Sequence, residues 1–563
     1  MPKPSMQIVI PMSGFGERFR RAGYRVPKPL IPIDGKPIIA HVIDMFPGET
    51  DFIFICSAEH LALPDLQMEQ QIRLYCPSAR IVGIEPHKLG PVHAVRLVSD
   101  LIDPARPVLV NYCDFTCYWN WADFCQFVEQ SACAGAIPAY RGFHPHTLGS
   151  TNYAYLRETG GWVSEIQEKQ PYTDNRMQEF ASSGSYYFAS GALMLEAFSA
   201  TVEQNLHVGE EFYVSLAYRY LLKNNLPITV YPLQHFMQWG TPEDVAEYQR
   251  WSAAFRRLAL PPGPAMAPVG SVVVPMAGLG QRFINEGYQQ TKPLIPVSAR
   301  PMVLQAVNDL PLALHTAFVL RSDMPGLDDI CLRLREAIPQ AVIATVPAVT
   351  QGQACSALIG LDALGELAEG PVSFGACDFG ALYDAQKFQS LLEDDDTDVI
   401  VWAVRGHTNA LRHPKMYGWI DCDGTQIRHI SVKTPLADPQ NDPVVLGTFT
   451  FKRAADFRAA VARMMARDGR INGEFYIDTC INDAIALGLR CRVFEVDSYL
   501  SWGTPDDLRC FEYWQSCLHK WPSHPYRLQD DGRVDPAGLA ALEERYRATL
   551  PERLAPIHGR GNA

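Results

Sequence analysis

Short runs of β-branched residues alternate along this chain with segments of helix length, the pattern of a largely parallel sheet flanked by helices. In the first half the predicted strands are 7–12 (QIVIPM), 51–57, 80–85, 107–113 and 228–233. In the second half, 271–276 (SVVVPM), 316–322, 341–347, 371–377 and 491–496 take their places. The halves also share their residues: 9–39 read VIPMSGFGERFRRAGYRVPKPLIPIDGKPII, and 273–303 read VVPMAGLGQRFINEGYQQTKPLIPVSARPMV. Such a repeat overrides the three or four domains that 563 residues alone suggest, and predicts two large α/β domains, 1–258 and 271–515. The Pro-rich stretch between them reads as a semi-rigid linker at 259–270. The tail, 516–563, has no counterpart in the first half. Its Asp535-Pro536 step predicts a helix start, running to about Thr549, for packing on the domains or at an oligomer interface.

A hydrophobic content of 47% with 20% charged residues is ordinary for a globular protein. The net charge of −13 argues against a phosphate-backbone partner, which would need a basic face, so no nucleic acid is expected. A small phosphorylated ligand held by a few local cations remains compatible. No run approaches 18 apolar residues, so no membrane span is expected. The apolar start is broken by Pro11 and Gly14, without the long apolar region of a signal peptide. The 14 cysteines contain no CxxC and read as free thiols of a reducing compartment. The expected setting is therefore cytoplasmic.

The repeated charges change the picture more than the composition does. Arg18 and Arg282, Lys28 and Lys292, Asp114 and Asp378, and Lys169 and Lys433 are pairs with one common separation, 264 residues. A shared apolar pattern implies a shared fold, whereas shared charges imply a shared site. Each copy opens with a strand and then G-x-G-x-R-F: Gly14, Gly16 and Arg18, then Gly278, Gly280 and Arg282. Glycines at a strand end let backbone N–H groups approach a phosphate. A dinucleotide fingerprint needs a third glycine where Phe19 and Phe283 stand, and a P-loop needs a Gly-Lys-Ser/Thr that neither copy has. PKPLIP (27–32) and TKPLIP (291–296) follow, predicting a lysine on a stiff, extended segment. An arginine and a lysine aimed at a glycine loop suit a triphosphate.

The combination of G-x-G-x-R-F with PKPLIP resembles the start of sugar-phosphate nucleotidylyltransferases, or nucleotide-sugar pyrophosphorylases, and the resemblance covers nearly all of both copies. It implies two tandem Rossmann-like (GT-A-like) domains performing nucleotidyl transfer from an NTP to a sugar 1-phosphate or small phosphomonoester, with release of pyrophosphate. The products of such enzymes typically feed surface polysaccharide assembly. By that resemblance the nucleotide lies on Gly14, Gly16, Gly278 and Gly280, and Arg18, Lys28, Arg282 and Lys292 are catalytic. Asp114 (NYCDF) and Asp378 (GACDF) would hold Mg²⁺. Lys169 (EKQP) and Lys433 (VKTP) would hold the acceptor phosphate. SGSYYF and LGTFTF, GEEFYVS and NGEFYID, and QWGTPEDV and SWGTPDDL also correspond.

Two departures stand out. Many relatives carry a second metal-binding aspartate just before G-T-P, where this chain has Gln238-Trp239 and Ser501-Trp502. Glu211 and Glu474, or Asp244 and Asp507, are the carboxylates available to fill that gap. In the second copy Glu168 becomes Val432 and Pro27 becomes Thr291, which leaves two readings for it: a different acceptor, or impairment. Other features carry less. His144-Pro145-His146 has no histidine counterpart and position 117 no cysteine counterpart, so neither HPH nor Cys113/Cys117 is expected to bind metal, and DCDG (421–424) reads as a hairpin turn. Tyr153 and Tyr417, again 264 apart, either line the acceptor pocket or simply pack. A glycosyltransferase would need a D-x-D after the central strand, which Asp114-Phe115-Thr116 is not. A non-catalytic, ligand-binding second domain is the remaining alternative.

Overall fold

The computed structural model describes residues 6–149, 152–261, 263 and 266–547. Positions 262, 264 and 265 of the expected linker, and 548–563 of the tail, lie outside the described residues. The chain forms two compact units, Met1–Ser252 and Ala253–Tyr546.

The first unit is built on a ten-stranded sheet: β1 (Gln7–Met12), β2 (Phe52–Ser57), β3 (Arg80–Ile84), β4 (Val108–Asn111), β5 (Gly135–Tyr140), β6 (Ala154–Thr159), β7 (Trp162–Glu168), β8 (Phe180–Ser182), β9 (Ser185–Phe188) and β10 (Ile228–Leu233). The order is β8-β6-β7-β10-β5-β9-β4-β1-β2-β3. Strand β1 lies between β2 and β4 and runs parallel to both. Strand β9 then enters antiparallel to β4 and β5, so the sheet is mixed: parallel from β4 to β3, and largely antiparallel beyond. Ile8, Val9 and Ile10 are fully buried, as befits central strands covered on both faces.

The second unit repeats this plan with β11 (Ser271–Pro275), β12 (His315–Arg321), β13 (Val342–Val346), β14 (Val372–Phe374), β15 (Val399–Val404), β16 (Gly418–Asp423), β17 (Gln426–Val432), β18 (Val444–Phe451) and β19 (Cys491–Glu495). Its order, β16-β17-β19-β15-β18-β14-β11-β12-β13, is that of the first sheet, with the single β18 replacing β8 and β9. All ten runs predicted as strands contain strands, nine of them within a residue or two at each end; 371–377 is strand only over Val372–Phe374. The DCDG segment ends β16 and enters the β16–β17 turn at Gly424, and Arg428 of β17 pairs with Asp421.

Each unit also carries a short two-stranded ribbon beside its main sheet. Phe115–Tyr118 pairs with His235–Gln238, and Phe379–Leu382 pairs with Ser498–Ser501. These ribbons bring the segment following each aspartate next to the G-T-P segment, although 120 or more residues separate them in sequence.

The tail's described residues up to Tyr546 belong to the second unit. Its helix is Leu539–Tyr546 and starts later than Asp535-Pro536 predicts, because the Asp535 carboxylate caps a tight turn by accepting from the Ala537 N–H. The tail braces two segments of that unit. The Asp535 N–H donates to the Ser298 carbonyl (3.1 Å), just beyond TKPLIP. Arg533 pairs with buried Asp309 at 2.6 Å, and Asp309 in turn accepts the Ala381 N–H (3.0 Å), three residues after Asp378.

Removing one partner of such a pair leaves a buried charge uncompensated. Arg533→Ala is expected to lower stability by about 3–5 kcal/mol, and Asp309→Asn added to it to recover part of the loss. Urea unfolding of the full chain checks this; additive losses would contradict the coupling.

Candidate functional site

In each unit the first strand ends on the glycine loop. Gly16 and Gly280 sit at φ 61° and 67°, as the left-handed residues that open the short helices Glu17–Arg21 and Gln281–Asn285. That conformation, rather than space, requires glycine at position 16, where an added Cβ would meet nothing within 4 Å. Phe19 and Phe283 stand where a third glycine would be, and each buries its ring edge-on against a tyrosine, Tyr24 at 5.1 Å and Tyr288 at 5.0 Å. The arginines one residue earlier stay exposed at the mouth of the site.

The lysines are not on extended chain. Lys28–Leu30 and Lys292–Leu294 each form a single 3₁₀ turn, with proline in second place, where its fixed φ suits a first helical turn and its missing N–H costs nothing. The hairpins that follow anchor the turns. Asp34 accepts from the Tyr248 and Ser252 hydroxyls (2.7 and 2.8 Å), and Ser298 accepts from the Gln515 amide (2.8 Å).

So held, Lys28 donates to Asp114 Oδ2 at 2.8 Å, and Lys292 to Asp378 Oδ2 at 2.6 Å. Burial pulls both ammonium groups toward neutrality, but the carboxylates outweigh it and hold them above the usual lysine range. The G-T-P segment closes over the same aspartates. The Trp239 N–H donates to the Asp114 carbonyl (2.8 Å) and the Trp502 N–H to that of Asp378 (2.9 Å). A Cβ at Gly240 would stand 3.1 Å from Asp114 Oδ2, and one at Gly503 3.3 Å from Asp378 Oδ2.

Lys169 and Lys433 each stand at a strand end and each is left-handed, at φ 58° and 62°. Their N–H groups donate to the carbonyls of Tyr153 and Tyr417, both at 2.9 Å. A non-glycine residue there is strained by roughly 1–2 kcal/mol, and the same strain at both copies marks a constrained position. Lys169 Nζ donates to the Tyr213 hydroxyl and lies 4.4 Å from that ring's centre. Lys433 Nζ donates to the Met416 carbonyl (2.5 Å) and lies 5.4 Å from the Tyr476 ring.

In the first unit these groups surround a cavity of about 880 Å³ that Gly14, Gly16, Arg18, Lys28, Asp114 and Lys169 all line. In the second, Arg282, Lys292 and Asp378 line one of about 300 Å³. Gly278, Gly280 and Lys433 are not on its wall. The corresponding segments GEEFYVS and NGEFYID each form a strap. The Phe212 N–H donates to the Leu89 carbonyl and the Val92 N–H to that of Phe212; Phe475, Gln351 and Ala354 repeat the pair. Gly90 and Gly352 lie beneath, where a Cβ would come within 2.8 and 2.5 Å of the strap backbone.

Three of the four carboxylates suggested for the missing second aspartate have hydrogen-bond partners of their own. Asp244 accepts from Thr241 (2.6 Å) and from Gln238 Nε2 (3.0 Å), and Asp507 forms a capping box with Thr504. Glu211 accepts from the Tyr213 hydroxyl. Tyr153 and Tyr417 line the cavities and also join these chains: Tyr153 donates to Gln238, and Asn409 donates to both Tyr417 and Asp507 (2.9 Å each). His144 and His146 pack on the Tyr140 ring, and His146 hydrogen-bonds its hydroxyl (2.8 Å). Among the described residues, no three His, Cys, Asp or Glu side chains come together as a metal cage.

Residues 8–229 match the nucleotidyl transferase family model and form such a domain. Bifunctional protein GlmU of Burkholderia lata is 35% identical over 183 residues, 31% of this chain and 35% of that protein. Its namesake in Burkholderia orbicola (strain MC0-3) is 35% identical over 117 residues, 19% of this chain and 22% of that protein. This chain thus spans about a third or less of these curated relatives. A solved nucleoside-diphosphate-sugar pyrophosphorylase from Vibrio cholerae RC9 aligns at 20% identity and a TM-score of 0.36, over 43% of this chain and 98% of that one.

Two stability measurements follow from this geometry. Lys169→Gly is expected to be more stable than Lys169→Ala by about 1 kcal/mol, and likewise at Lys433, because only glycine relieves the left-handed strain. Equal urea midpoints would contradict it. Burial pushes Asp244 up to about 6, against the hydrogen bonds from Thr241 and Gln238. A raised carboxyl binds its proton more tightly in the fold, so its contribution is full below about pH 4 and is lost as pH rises through about 6. The stability of the parent relative to Asp244→Asn is therefore expected to fall by up to about 3 kcal/mol over that window. A difference independent of pH would refute the assignment.

Proposed function

We propose that this chain, whose residues 8–229 form a nucleotidyl transferase domain, transfers a nucleotidyl group from a nucleoside triphosphate to a sugar 1-phosphate or related phosphomonoester in each of its two units. The observation that carries the reading is the lysine–aspartate contact below a glycine loop, built twice from the same elements at 2.8 and 2.6 Å. In the reaction an oxygen of the acceptor phosphate forms a bond to the α-phosphorus. The bond from that phosphorus to its β-bridging oxygen breaks, and pyrophosphate leaves with the electron pair. The product is a nucleotide-linked precursor, suited to a later transfer such as surface polysaccharide synthesis.

The side chains divide this work by position. The loop N–H groups around Gly14 and Gly16 hold the nucleotide phosphates, and Arg18 and Lys28 neutralise the charge gathering on pyrophosphate. Lys169, fixed by its strained backbone and by Tyr213, holds the attacking phosphate. Arg282, Lys292 and Lys433 do the same in the second unit. Alignment and charge neutralisation suffice, because the acceptor itself is the nucleophile. Burial pushes the nearby Cys113 thiol up to about 11, with Lys28 opposing, so it stays protonated and takes no part.

Asp114 and Asp378 would hold Mg²⁺. A single carboxylate per unit fits that ion, which takes one or two carboxylates and fills its remaining positions with substrate phosphates and water. When bound, the ion supplies Lewis-acid stabilisation of the phosphates.

Pyrophosphate release is to be measured with Mg²⁺, crossing five NTPs with a panel of sugar 1-phosphates and small phosphomonoesters. Acceptor-dependent release is expected, lost in part in Asp114→Ala and in Asp378→Ala and wholly in the double variant. Arg18→Ala is expected to cost the first unit roughly 10²–10³-fold. Acceptor-independent release, or activity surviving in the double variant, would refute the assignment.

A further inference from the structure

Three exchanges between the units occur together around the acceptor lysines. In the first unit, Ala154 and Glu168 face each other across β6 and β7, and Glu168 accepts from Ser215 at 2.5 Å. Ser215 lies on the helix Val214–Lys223 behind the strand end. In the second unit the cross-strand pair is Gly418 and Val432, and the position matching Ser215 is Asp478, on the helix Ile477–Ala486. The glutamate has gone from the strand, and a carboxylate stands on the helix where the hydroxyl was.

Gly418 connects the two changes. Its φ lies outside the left-handed region, so the backbone does not call for glycine. Space does: a Cβ at 418 would lie 2.5 Å from Asp478 Oδ2. The glycine therefore makes room for the aspartate. Gly418 and Asp478 both line the second cavity, as Ala154 and Glu168 line the first. Both carboxyls are half-buried. Burial raises each, and the adjoining acceptor lysine, Lys169 or Lys433, opposes it.

We infer that Asp478 is the acceptor-recognising carboxylate of the second unit, accepting hydrogen bonds from the hydroxyls of a polyhydroxylated phosphomonoester whose phosphate lies on Lys433. The inference rests on the proposed reaction and adds that the second unit is competent despite Val432. Delivered from the helix, the carboxylate enters its cavity from a different element than Glu168 does, and Val432 packs against the unit's apolar core at the strand end. The two units accordingly differ in acceptor preference.

The test uses the full chain carrying Asp114→Ala, so that only the second unit turns over. Asp478→Asn keeps the shape and removes the charge. Asp478→Ser alone, and combined with Gly418→Ala and Val432→Glu, removes the carboxylate and then restores the first unit's arrangement. The readouts are the KM for acceptor and the KM for NTP, across the same panel of sugar 1-phosphates and small phosphomonoesters. Asp478→Asn is expected to raise the acceptor KM roughly 10–100-fold, the worth of a hydrogen bond to a charged group, with the NTP KM within twofold. The triple variant is expected to regain acceptor binding and shift toward the first unit's preference. An unchanged acceptor KM in Asp478→Asn, equal rises in both KM values, or a triple variant no better than Asp478→Ser would overturn it. If the parent chain releases no pyrophosphate with any pair, the proposed reaction fails. The acceptor panel is then titrated calorimetrically into the same variants, where a tenfold loss of affinity in Asp478→Asn sustains the role and equal affinity ends it.

Discussion

Each site depends on an ammonium group held against a carboxylate by parts of the chain 86 residues apart, the same spacing in both units. Each member of the pair is unfavourable alone: burial works against the lysine's charge, and the aspartate stands below a closely packed glycine of the G-T-P segment. Together they tie the loop after the first strand to the end of the central strand. That fixes the spacing between the glycine loop, which suits phosphates, and the aspartate, which suits a cation.

The duplication shows which parts of this arrangement tolerate rearrangement. A tyrosine, an amide and a half-buried aspartate are linked in both units, but the amide comes from Gln238 on a ribbon strand in one and from Asn409 on a helix in the other. The carboxylate beside the left-handed lysine likewise belongs to Glu168 or to Asp478. In each case the chemical group survives while its position in the chain moves. The left-handed lysines and the lysine–aspartate contact, by contrast, keep their places in both copies.

Much of the fold was legible because the parallel strands are buried on both faces and read as continuous apolar runs. The hairpin β6–β7 was not predicted: its pattern alternates, with Leu156 and Ile166 inside and Arg157 and Glu165 outside, and it resembles ordinary polar surface. Charges repeated at one separation picked out Lys28, Asp114 and their counterparts, which the fold brings into contact. The carboxylate of the second unit was invisible to that comparison, because Asp478 aligns with a serine and its relation to Val432 exists only through Gly418 in three dimensions. The 3₁₀ turn of Lys28 was missed because flanking prolines specify φ but leave ψ free to turn the chain. The tail's bracing of Asp309 had no signal, since that contact has no copy in the first half.

The central claim is that one chain carries two working phosphate sites of the same construction. The most direct measurement is equilibrium calorimetry of the full chain with α,β-methylene analogues of the five NTPs, which bind without turning over. The account predicts two bound nucleotides per chain, summed over the analogues, falling to one when either Lys28 or Lys292 is changed to Met. A stoichiometry of one in the unaltered chain, or of two after Lys28→Met and Lys292→Met together, would contradict it.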